Sequence, residues 1–331
     1  MGFHEVIAAD EESRFEKYGV ELAEMQRKRA AAGGALTRAL HVKQHLGLVG
    51  TLAIAASEGA RNGVFADTGK TYPVYVRFSN GSSAHQSDKE GDVRGFAVKL
   101  VGVLGTKIIP GLEQELTQDF LFVNDPALPF RDPIEFMAFV RAAKDGPAWL
   151  VPKLFSGVGL GRGFAILRRA LGSQKVESYA THAFHTCAPI SFAGTAAKLG
   201  LFPVPSPPRP ALTGPDSLRE DATARLQQGP LSWSLRAQLF KDDQCTPIED
   251  ASVVWSAPWL ELGTLTLPQQ DPTNARGQEI SKLVESLSFD PWHAIEAHRP
   301  LGGIMRARAG AYKASVITRN AAPEPKSVLS V

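Results

Sequence analysis

The spacing of apolar and polar positions changes several times along the 331 residues, and each change marks an element. Over 12–32 (EESRFEKYGVELAEMQRKRAA) apolar residues recur at loose helical intervals among Glu, Lys, Arg and Ala. This predicts a surface helix, ended by Gly33-Gly34. From 39 to 56 short apolar runs such as LGLVGTLAIAA take over. The stretch 72–78 (YPVYVRF) has the aromatic and β-branched character of a strand, and 96–103 is another strand candidate. Residues 133–145 open on Pro and carry apolar residues at helical intervals, and 147–155 does so more weakly. Strand character returns in 184–192, 231–240 and 251–267, with the Pro-rich 202–215 as a long surface connection. The last third holds two helices, 276–287 and 302–314. No internal repeat is visible, and the strands lack regular βαβ spacing, so the pattern predicts an α+β antiparallel β-barrel with added helices rather than a doubly wound sheet. We read one domain over 1–331, with an N-terminal helical segment 1–35, a barrel core 36–320 and a C-terminal tail 321–331.

A hydrophobic content of 44% supports a sizeable core. With 36 Lys and Arg against 34 Asp and Glu the net charge is +2, too small a field to point to nucleic acid. Cys187 and Cys245 are far apart and belong to no CxxC or CxxCH pattern, which supports neither a zinc site nor covalent c-type haem attachment. The N-terminus runs quickly into Asp10-Glu11-Glu12 and lacks the basic-then-apolar order of a secretory signal. No apolar run is long enough to cross a bilayer, so a cytoplasmic protein is expected.

Four segments carry candidate chemistry. Arg38 precedes His41 by three residues, with Lys43, Gly47 and Gly50 beyond it. Val76-Arg77-Phe78-Ser79 is followed by Gly91-Asp92-Val93-Arg94-Gly95-Phe96-Ala97-Val98-Lys99. Asp119-Phe-Leu-Phe-Val-Asn124-Asp-Pro-Ala-Leu-Pro-Phe-Arg131-Asp132-Pro133 is the third, and Arg308-Ala-Gly-Ala-Tyr312 with Arg319 the fourth. The spacing of the fourth places Arg308 beside Tyr312 on one helical face. His41 and His45, four residues apart, suit two metal ligands on a helix, but no HExxH pattern supports that use. His182, His185, His293 and His298 read as polar surface or core residues.

Together these segments resemble the catalase family from about Arg38 to Arg319. The resemblance implies a catalase-core barrel holding haem b, with His41 and Asn124 on the peroxide-facing side and Tyr312 as the iron ligand opposite. Ser79 would orient His41. Arg38, Arg77 and Arg319 would pair with the haem propionates, Arg308 would stabilise the Tyr312 phenolate, and Phe136 would pack over the haem. The match has departures: Lys313 and Ala314 follow Tyr312, and Leu128 and Pro129 stand where the family has adjacent phenylalanines. In length the chain is similar to the minimal, catalase-related group, which includes small haem peroxidases and allene oxide synthases.

The residue types suit these roles. A tyrosine phenolate leaves the opposite haem face open, and a nearby cation favours that anion. Histidine can take a proton from one peroxide oxygen and return it to the other, while an asparagine amide can hold the peroxide. The implied activity is a haem peroxidase using hydrogen peroxide or organic hydroperoxides and an external electron donor, with some catalase activity. Its rivals are rearrangement or cleavage of fatty-acid hydroperoxides and a non-enzymatic haem carrier. Leu40, before His41, is closer to the valine of catalases than to the threonine of allene oxide synthases. A homo-oligomer, as a dimer, is expected, with neither nucleic acid nor an integral membrane segment.

Overall fold

The computed structural model describes residues 2–31, 38–56, 61–143, 147–172 and 175–331. Helix α1 (Glu11–Ala31) precedes four strands, β1 (Gln44–Ile54), β2 (Thr71–Asn80), β3 (Arg94–Val101) and β4 (Thr117–Val123). Three helices follow, α2 (Pro133–Ala143), α3 (Pro147–Val158) and α4 (Leu160–Leu171). Then come β5 (Phe184–His185), β6 (Ile190–Phe192), β7 (Thr195–Pro203), α5 (Ser217–Gln228), β8 (Leu231–Leu239), β9 (Trp259–Leu267), α6 (Ala275–Ser286) and α7 (Gly303–Thr318). The Gly33-Gly34 stop lies outside the described residues.

The strands run β4-β3-β2-β1-β9-β8-β7, and β5 pairs with both β4 and β7. An eight-stranded antiparallel barrel therefore closes, with β6 added beside β7. This is the α+β barrel that the apolar pattern predicts. Side chains alternate across each strand. Val74, Val76 and Phe78 of β2 and Phe96, Val98 and Leu100 of β3 fill the interior with Trp233. The outward residues Val49, Tyr75 and Val101 pack against Ile280 and Val284 of α6. Gly47, in the first motif, lets α6 approach β1, because a Cβ there would lie 2.7 Å from Val284 Cβ.

The differences from the sequence reading have local causes. Strand β7 is rich in small residues, Ala196, Ala197 and Gly200, and so lacks a strand signal; its end overlaps the stretch read as a Pro-rich connection. The 184–192 run is two short strands, because Cys187 sits at φ 55 and breaks it. The 251–267 run begins pairing only at Trp259, after Pro258. Helices α4 and α5 were not expected; α5 (SLREDATARLQQ) has too few apolar residues to show a period.

Residues 321–331 form a strap on the barrel. Ala322 bridges Leu287, Leu329 N–H donates to Tyr75 Oη at 3.0 Å, and Tyr75 Oη–H donates to Ser327 O at 3.2 Å.

Candidate active site

A cavity of about 290 Å³ lies between the barrel's outer face and α7. Its floor is a register row across four strands, Ser79, Gly95, Val123 and His185, with Arg77, Ala97 and Leu121 in the next row. Its roof is one stripe of α7, Ile304, Arg308, Ala311, Tyr312 and Ser315, continued by Arg319 just past the helix end. Those positions recur every three or four residues, as one face of a helix does. Arg38, His41, Arg77, Ser79, Phe136, Arg308, Tyr312 and Arg319 all line this space, although they come from three of the four motif segments and from α2.

His41, three residues before β1, sits in the left-handed region at φ 58, a conformation that is costly for a side chain with a Cβ. It is held there from both sides. Its N–H donates to Gly81 O at 3.1 Å, and its carbonyl accepts from Arg77 Nη2 at 2.9 Å. Nδ1 lies 3.1 Å from Ser79 Oγ. Burial, followed by the cations Arg77 and Arg308, pushes the imidazole pKa down to about 3, so the ring is neutral at neutral pH.

Arg38, Arg77 and Arg319 cluster at one end of the cavity around Glu285 and the end of α6. Arg77 Nε donates to Glu285 at 3.0 Å, and Arg38 pairs with the same carboxylate and with Leu287 O at 2.8 Å. Arg319 donates to Ser286 O at 3.1 Å and Leu287 O at 2.8 Å. Burial and the neighbouring Arg77 lower the pKa of Arg38 well below the usual guanidinium range, and burial lowers that of Arg319 to about 10. Glu285 is the one carboxylate that ion-pairs with this cluster among the described residues. Three cations beside one anion leave a positive excess, which suits a ligand bearing carboxylates.

Across the cavity, Arg308 Nη2 donates to Tyr312 Oη at 2.7 Å, so the one-turn spacing delivers the expected pair. Asn124 directly follows β4. Its Oδ1 accepts the Arg94 N–H at 2.7 Å, its own N–H returns to Arg94 O at 3.2 Å, and Val123 rather than Asn124 lines the cavity. These two bonds tie the segment to the start of β3. His45 is not a partner of His41. It lies on β1, 2.9 Å from Tyr179 Oη and 3.1 Å from Asp88, and no metal-holding group of three or more His, Cys, Asp or Glu occurs among the described residues.

The sequence reading missed four contributors. Glu285 ends a helix that was expected, but its partners lie more than 200 residues away. His185 and Cys187 line the cavity, whereas the sequence reads His185 as a core or surface residue and gives Cys187 no metal or haem-attachment pattern. Gly95 stood in a quoted motif without a role. A Cβ there would lie 2.7 Å from both His41 Nδ1 and Ser79 Oγ, so Gly95→Ala forces the two apart. We expect this variant to keep its fold and lose more than about tenfold in peroxide turnover, as misplaced acid-base groups do. Steady-state assays beside a thermal melt check it.

Residues 36–154 match the Catalase family model. The chain is 28% identical over 302 residues to a catalase-related peroxidase of Mycolicibacterium paratuberculosis, covering 85% of this chain and 88% of that protein. It is 24% identical over 286 residues to catalase A of Pseudomonas putida, covering 78% and 57%. Among solved structures it resembles a fungal catalase with a TM-score of 0.64 at 19% identity, covering 86% of this chain and 62% of that one. Catalase A from Saccharomyces cerevisiae gives 0.65 at 16%, covering 88% and 63%. At such identities the structural likeness speaks for the fold alone, and the chain spans about three-fifths of those two solved catalases. The family match covers the segment that carries His41, Ser79 and Asn124, the peroxidase relative aligns over most of the chain, and the barrel is shared: this chain is similar to catalase-related proteins and has their fold.

Proposed function

We propose that the protein is a haem b peroxidase that reduces hydrogen peroxide or organic hydroperoxides at the expense of an external donor, with some catalase activity. The observation that carries this reading is one cavity with a neutral His41 held by Ser79 on its floor and an Arg308-paired Tyr312 on its roof. Tyr312 would hold the iron, and Arg38, Arg77 and Arg319 the propionates. The positive excess of that arginine cluster fits a dianionic ligand. Bound there, haem supplies the redox-active iron at which a peroxide O–O bond is cleaved.

The chain's own residues would manage the proton. With Nδ1–H donated to Ser79, Nε2 of His41 is the acceptor that takes a proton from the peroxide. A weak base gives that proton up readily to the departing oxygen. Carboxylates on Arg38 and Arg77 would offset cations that depress the His41 pKa and bring it closer to the working pH. Arg308 would favour the phenolate of Tyr312 by donating a charged hydrogen bond.

Purified holo-protein assayed with hydrogen peroxide, a lipid hydroperoxide and a reducing dye tests the reading. Dye oxidation is expected. An isomerised lipid without dye oxidation would replace the peroxidase reading with rearrangement. Tyr312→Phe should retain less haem and shift the absorption spectrum; a variant with the wild-type spectrum and haem content would remove Tyr312 as the ligand.

A further inference from the structure

The helical pair α3–α4 carries a surface that the site does not use. Its inner side is packed: Leu154 and Ile166 join Phe130 and Ala142 in one cluster, and Phe155 covers Gly163, where a Cβ would meet its ring at 2.0 Å. Its outer side leaves Trp149 58%, Val151 41%, Leu160 75% and Phe164 68% exposed. On α4 the exposed Leu160, Phe164 and Arg168 are spaced four residues apart and form one stripe. On α3 the exposed Trp149 and Lys153 are one turn apart, and the ammonium lies 5.7 Å from the indole centroid. Large exposed apolar side chains concentrated in one small unit mark an interaction surface.

The charge on this unit selects the partner. From 147 to 172 every charged residue is basic: Lys153, Arg162, Arg168 and Arg169. Arg162 pairs with the buried Glu135 at 2.7 Å, and Arg169 donates to Ala127 O at 3.4 Å, so these two face the protein. Lys153 and Arg168 flank the exposed apolar residues. A second copy docked by this face about a two-fold axis would bring the same cations together. Each helix has 12 residues, too short to cross a bilayer, and no helix among the described residues is long and apolar enough to do so. Trp, Phe and Leu beside Lys and Arg on short helices are the composition of a segment lying in the lipid headgroup region.

We propose that α3–α4 docks this protein on anionic lipid surfaces, with Trp149, Leu160 and Phe164 entering the interface and Lys153 and Arg168 meeting the headgroups. The test is flotation of the full chain with vesicles of equal parts phosphatidylcholine and phosphatidylglycerol, and with phosphatidylcholine alone. Wild type floats with the mixed vesicles and much less with the neutral ones, and raised salt releases it. The double variant Trp149→Ser, Phe164→Ser loses at least about tenfold in binding. Lys153→Gln and Arg168→Gln lose about fivefold each, on mixed vesicles only. Both serines replace solvent-facing side chains, so an unchanged melting temperature confirms the fold. Wild type that stays behind with mixed vesicles, or a double variant that floats like wild type, overturns the proposal. So does a dimer on size exclusion that the double variant dissociates, because a second copy then covers this face.

Discussion

Replacing His41 with alanine slows the first peroxide-dependent spectral change of the holo-protein by about a hundredfold to ten-thousandfold, the usual contribution of a positioned acid-base group. Haem content is expected to hold, because the proposed ligand Tyr312 and the arginines Arg77 and Arg319 lie on other elements. His41→Gly is the matched control for the backbone. Position 41 sits at φ 58, where glycine is unstrained and alanine is not, so the glycine variant should be the more stable of the two and equally slow. In the wild type, burial and the surrounding cations hold the imidazole pKa down to about 3 before carboxylates neutralise Arg38 and Arg77, so acid inhibition of the holo-protein should set in above that value and below neutrality. Stopped-flow rates at matched haem occupancy measure this, and a wild-type rate in either variant would remove His41 from the proton transfers. Asn124→Ala should cost less. Its Oδ1 serves the Arg94 N–H, so its loss acts through the seating of β3 and not through a missing proton carrier.

The parts of the structure legible in the sequence were those fixed by local repetition. The aromatic and β-branched run of β2, the strand candidate that is β3 and the four-residue spacing on α7 gave barrel strands and the Arg308–Tyr312 pair, since each lies within one element. Glu285 could not be found that way. Its partners Arg38 and Arg77 lie 247 and 208 residues away, and only closure of the barrel and the packing of α6 on β1 bring them together. The same limit explains Asn124. Its spacing to Arg131-Asp132 fixed its place in the chain, but its orientation depends on the β3 backbone opposite. The tail shows the limit most plainly: 321–331 carries no periodic pattern and is read only as a tail, whereas its Glu324 is buried against Lys99.

Lys99→Met is expected to destabilise the protein by about 3–5 kcal/mol, the cost of leaving buried carboxylates without their cation. Lys99 is fully buried on β3, and its ammonium lies 2.7 Å from Asp119 of β4 and 2.6 Å from Glu324 of the strap. Burial opposes the charge on Lys99, but the two carboxylates outweigh it and raise its pKa. One cation does not suffice for two anions. Glu324 also accepts hydrogen bonds from Ser288 at 2.7 Å and Thr117 at 2.8 Å, and although its burial acts to raise its pKa, Lys99 and these bonds bring it down to about 2. Asp119 takes the opposite course: burial, reinforced by repulsion from Glu324, outweighs Lys99 and pushes it up to about 8. The cluster therefore gains a proton on folding. For Asp119 the folded pKa lies above the ordinary 3.8, so its contribution is full below that value and is lost as pH rises through about 8. Glu324 behaves in the reverse sense, its contribution being full above the ordinary 4.5 and lost as pH falls through about 2. Urea midpoints of the wild type should thus decline from about pH 4 to about pH 8 and level off above that. Asp119→Asn removes the ionisation while keeping an acceptor for Lys99 and for the Asp290 N–H, and it should flatten that decline. An equal slope in Asp119→Asn would assign the proton to another group. A loss below about 1 kcal/mol in Lys99→Met, the scale of a surface ion pair, would show that the strap is held by its apolar contacts instead.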